Sequence, residues 1–113
     1  MTIVKTSKTF GEIGMILAGR KAARTTEDYI LDNGENPFGC GFAWVVVKGA
    51  RGKKAEMLKE FGFKKRYDGP GLSNWNPSGN YTQDMDAKYA GAQVYAQELR
   101  DMGIDATAYC RLD

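Results

Sequence analysis

The sequence predicts an α+β domain: a ferredoxin-like βαββαβ sheet with two helices on one face, plus an N-terminal helical extension. Three observations carry this. Residues 42–48, Phe-Ala-Trp-Val-Val-Val-Lys, form a short apolar run of strand length. Two amphipathic stretches follow, at about 52–61 and 84–102, each with apolar residues at helical spacing. Three further strand-length segments lie between and after them, so the order from residue 42 onward is βαββαβ. The chain of 113 residues, 42% hydrophobic and 27% charged, is expected to be one domain, with residues 1–41 as the extension and 42–113 as the core.

Taken in order, residues 2–5 are a candidate edge strand. Thr9 and Glu12 have the spacing of a capping box, in which each side chain satisfies a free backbone donor of the other. A helix over 10–23 follows, with Phe10, Ile13, Ile16 and Leu17 along one side and Arg20, Lys21 and Arg24 at its end, where cations suit the helix dipole. A further helical turn is expected over 26–31, stopped by Asn33 and Gly34. After the strand at 42–48, Gly49–Gly52 turns the chain into a helix marked by Ala55, Leu58 and Phe61, with Gly62 as its terminating glycine. Strands are predicted over 63–67 and 72–76, separated by an Asp-Gly-Pro-Gly turn. The long helix carries Met85, Tyr89, Ala92, Ala96 and Leu99 as its stripe and stops at Gly103, and 105–112 is the last strand.

Composition narrows the chemistry. The chain has no histidine, the commonest general base and transition-metal ligand, and only two cysteines, Cys40 and Cys110. No metal site and no cofactor are expected. Asp84, Asp86, Asp101, Asp105 and Asp113 supply carboxylates, but no nucleophile or base pairs with them, and capping of the long helix accounts for the first two. No catalytic residue is assigned. No apolar run approaches the ~20 residues that span a bilayer, so no membrane is expected and a cytoplasmic protein with reduced thiols is the default. A net charge of +2 does not by itself mark a nucleic-acid binder, so any basic patch must be local.

Strand alternation supplies the candidate site. In the first strand Ala43, Val45 and Val47 oppose Phe42, Trp44 and Val46; in the last, Ala106, Ala108 and Cys110 oppose Thr107, Tyr109 and Arg111. The small residues suit close packing under the helices. The other face then gathers Phe42, Trp44, Tyr109 and Arg111, with Trp75 and Tyr67 as neighbours. An aromatic sheet face of this kind stacks bases in ferredoxin-like RNA-binding domains. The plainer expectation is a cover, because such a patch seldom stays bare: the helix at 10–23 folds over it and makes Trp44 core, or a second copy forms a homodimer on it.

A second candidate is the basic turn at 49–54, where Arg51, Lys53 and Lys54 flank glycine-rich backbone able to cradle an anion or phosphate, with Lys64, Lys65 and Arg66 extending the positive surface. The spacing is not that of a P-loop, and a solvated basic edge explains the same residues. The run from Phe61 to Tyr67 echoes the RNP1 signature of RNA-recognition motifs, but it straddles a helix end and the second strand, so the match is set aside. By parity Cys40 and Cys110 fall on opposite faces, which predicts free thiols.

The run Phe42, Ala43, Trp44 and Val45, the Gly62–Phe63 helix end, the stretch from Trp75 through Gly79 and the closing Arg111, Leu112 and Asp113 together resemble small, uncharacterised bacteriophage proteins over about 41–113. The resemblance implies a domain acting on host machinery or host defence in the host cytoplasm, or a minor virion component, and brings no active site with it. The resulting expectation is a non-catalytic binding protein with a protein partner. RNA or single-stranded DNA is the alternative ligand, and a virion or assembly component is the third reading.

Overall fold

The computed structural model describes residues 10–36, 38–66 and 68–113. Its elements are α1 (Phe10–Asn33), β1 (Gly41–Val47), α2 (Gly52–Glu60), β2 (Lys64–Lys65), β3 (Leu72–Asn74), α3 (Met85–Asp101) and β4 (Ala106–Leu112). Among the described residues the result is an α+β arrangement of three helices and one four-stranded antiparallel sheet, ordered β2-β3-β1-β4. β1 is the axis of the sheet. It pairs with β3 from Val45↔Asn74 to Val47↔Leu72 and with β4 from Gly41↔Leu112 to Val47↔Ala106.

The core lies between the sheet and the helices. Ala43, Val45 and Val47 turn inward and are buried with Ala106, with Leu58 of α2 and with Ala92, Tyr95, Ala96 and Leu99 of α3. Local chemistry fixes the helix ends. Asp84 caps α3, its Oδ1 accepting from Asp86 N (3.0 Å) and Ala87 N (3.2 Å), while its Oδ2 accepts from Asn36 N at 3.0 Å. Gly62, at φ +100°, lets α2 close with Gly62 N–H on Lys59 O (3.3 Å) and Phe63 N–H on Leu58 O (3.1 Å).

The extension departs from expectation in three ways. α1 is one continuous helix of 24 residues rather than two pieces. Its interior threonines are accommodated because Thr25 Oγ1 donates to Lys21 O (2.7 Å) and the buried Thr26 Oγ1 donates to Ala87 O (2.8 Å). The inward stripe is Met15, Ala18, Ala22 and Thr26, whereas Ile13 and Leu17 remain 42% and 45% exposed. Small residues win because α1 crosses α3 closely: a Cβ built on Gly91 would sit 2.8 Å from Ala22 O and meet Thr26 Oγ1. Finally, α1 packs on α3, on the helix side of the sheet, and not over the aromatic face. The expected cover of Trp44 by the 10–23 helix is therefore corrected. The candidate strand at 2–5, the Thr9 partner of the capping box and Tyr67 lie outside the described residues.

Strand limits shift modestly. β2 is only Lys64–Lys65 and β3 stops at Asn74, where Asn74 Oδ1 accepts from Asn76 N (3.2 Å) and bends the chain away from the ladder.

A candidate docking face of stacked rings

Register places the rings. Trp44 and Tyr109 are direct partners on β1 and β4, and Trp75, one residue past β3, continues the β3–β1 register to the other side of Trp44. The three side chains stack in a row across three strands: Trp44–Trp75 centroids are 4.6 Å apart and Trp44–Tyr109 5.9 Å, both at 22° between planes. Phe42 meets Trp75 edge-on at 6.4 Å. Stacked and edge contacts of this kind each contribute about 0.5–1.5 kcal/mol beyond area burial. Phe42, Trp75 and Tyr109 nevertheless stay 39%, 46% and 41% exposed.

Cations surround the row. Arg111 is the β4 partner of Phe42, and the Lys88 ammonium lies 5.6 Å from the Phe42 ring centroid. Lys64 pairs with Ser73, which pairs with Val46, so this row shares the face of Trp44. A cleft of about 260 Å³ joins the two sets, lined by Trp44, Trp75, Ser73, Arg111 and the Lys64–Arg66 strand end. Arg66 is held there by Asp68 (Nε to Oδ1, 3.4 Å) and by donation to Pro70 O (3.2 Å).

Of the residues predicted from sequence, the structure thus brings together Phe42, Trp44, Trp75, Tyr109 and Arg111 with Lys64 and Arg66, whereas Lys65 pairs with Leu72, the partner of Val47, and so falls on the helix side of the sheet. The structure separates Arg51, Lys53 and Lys54 from the rings. Lys53 and Lys54 line a groove shared with Glu12, Glu56 and Glu60, and Lys54 also lines one with Asp105. Arg51 is the N-cap residue of α2 and makes no side-chain capping bond. The basic turn is a mixed-charge surface away from the rings. Lys88 is the residue that sequence reasoning missed.

Cys40 and Cys110 are not joined in a disulfide, and Cys110 is exposed. Among the described residues no three His, Cys, Asp or Glu side chains are grouped to hold a metal, and no helix is long and apolar enough to cross a membrane. The face presents a row of stacked rings whose Trp75 end opens toward Lys64 and Arg66. Comparison with family models, curated proteins and solved structures gives no match.

Proposed function

We propose that this protein is a non-catalytic binding module of ferredoxin-like architecture whose sheet face holds single-stranded nucleic acid. The βαββαβ succession and the β2-β3-β1-β4 strand order support the architecture. One observation carries the ligand class: the Trp75–Trp44–Tyr109 row and the Lys64–Arg66 cations meet in one cleft. Aromatic platforms bind bases without regard to sequence because every base has a π face, and neighbouring cations bind the phosphates between them. A base extends the row at its Trp75 end, and Lys64 and Arg66 take the backbone.

Fluorescence anisotropy with labelled oligo-dT and oligo-U at low salt tests this. Trp75→Ala weakens binding by about 1–3 kcal/mol, the worth of one stacked base. Lys64→Ala lowers the dependence of log affinity on log salt by roughly 0.7, one single-strand phosphate contact. Absence of binding at low salt, or an unchanged affinity in Trp75→Ala, rejects the reading.

A protein target in the host cell is the second reading. It is supported by the Trp, Tyr and Arg content of the face, the residue types that dominate interface hot spots. It predicts that the same Trp75→Ala change abolishes capture of one defined protein while oligonucleotides never bind.

A further inference from the structure

The two edges of the sheet are built differently. β2, at one edge, has two residues, both lysines, a short and charged edge that repels pairing. β4, at the other, runs seven residues with unbroken register against β1, no proline and a single charge, Arg111. Its outward hydrogen-bonding groups can be identified. Lys48 N donates to Asp105 O and Asp113 N donates to Cys40 O, each at 3.0 Å, so odd-numbered residues face β1. Ala106, Ala108, Cys110 and Leu112 therefore turn their N–H and C=O groups outward. The Ala106 carbonyl is already taken by Arg100 Nη1 at 2.8 Å. Ala108, Cys110 and Leu112 remain, and no described residue bonds to their outer side.

We propose that β4 pairs antiparallel with β4 of a second copy about a two-fold axis at Cys110, joining two sheets into one of eight strands. The three open residues are symmetric about Cys110. Centring the axis there sets Ala108 against Leu112 of the second copy and Cys110 against its counterpart, so every open group finds a partner. Moving the axis to Tyr109 sets Leu112 against Ala106, whose carbonyl Arg100 occupies. Moving it to Arg111 opposes two like charges. With Cys110 on the axis, Arg111 of one copy stands opposite Tyr109 of the other, and its guanidinium caps the open end of the ring row as a cation–π partner. Leu112, 61% exposed in the single chain, gains an apolar neighbour in Ala108 of the second copy.

This inference is independent of the nucleic-acid reading, and oligomeric state tests it without any ligand. Sedimentation equilibrium of the full chain at micromolar concentration is expected to give twice 12.5 kDa. A short homobifunctional maleimide should join Cys110 to Cys110, as mapped by mass spectrometry, because hydrogen-bonded antiparallel partners keep their Cα atoms about 5.5 Å apart. Cys110→Arg, at an exposed position, sets two cations on the axis and is expected to give a folded monomer by circular dichroism and mass. Ala108→Pro, which an edge strand tolerates where the N–H faces outward, is expected to do the same. A monomeric wild type, a dimer cross-linked through Cys40 instead, or a dimer that survives both substitutions overturns the proposal.

Discussion

Tyr95 is only 2% exposed beside Phe63, and removal from water pushes its phenol up to about 12, with a hydrogen bond to Asn74 offsetting part of the rise. The folded state thus holds the proton more tightly than the unfolded chain, where a tyrosine titrates near 10. Its contribution to stability is complete below pH 10 and is lost as the pH climbs from 10 toward 12, by about 2–3 kcal/mol in all. Thermal melts from pH 9 to 12 should show a decline that Tyr95→Phe flattens; parallel declines in the two proteins refute it. Several residues of the candidate face were legible from parity alone. Phe42, Trp44, Tyr109 and Arg111 fall on one side because side chains alternate, and nothing tertiary is needed to see it. Lys88 was not legible, because its approach to Phe42 depends on how α3 is set against the end of β1, which no local pattern encodes.

The helices show where the period of a pattern informs and where bulk misleads. α3 and its stop were readable from spacing, from Asp84 as cap and from the glycine after Met102. α1 was misjudged: its largest residues marked one stripe, and its alanines mark the buried one. Close helix crossing rewards smallness, so the apolar stripe that faces a partner at short range is the one with the least side chain. Gly91 is the test of that crossing, since any side chain there meets Ala22 O and Thr26 Oγ1. Gly91→Val should destabilise the protein by about 1–3 kcal/mol through overpacking, seen as a lower urea midpoint at unchanged slope. An unaltered midpoint would mean that α1 does not lie tightly on α3. The basic turn is the counterexample at the same scale: Arg51, Lys53 and Lys54 stand together in the sequence, with Glu56 and Glu60 at helical spacing behind them, but Glu12 arrives there only through folding.

For the molecule as a whole, the central strand depends on the end of the chain. β1 pairs along its full length with β4, whose residues lie as much as Gly41 to Leu112 away. Ala106 and Ile104 also belong to the core. A chain ending at Gly103 should lose cooperative unfolding altogether, measured by circular dichroism during urea titration; a sigmoidal transition in the shortened chain contradicts this. The order of elements was legible in the sequence, since each has its own period and punctuation. Which side α1 occupies was not, because both sheet faces offered apolar surface and the contacts that set α1 on α3, at Gly91, Thr26 and Lys21, are made only on folding.

Both tryptophans of the chain belong to the ring row. With indole planes 22° apart and centroids separated by 4.6 Å, their excited states couple. The chain is thus expected to carry its own optical reporter: a split circular-dichroism band that arises when β1 and the end of β3 are in register.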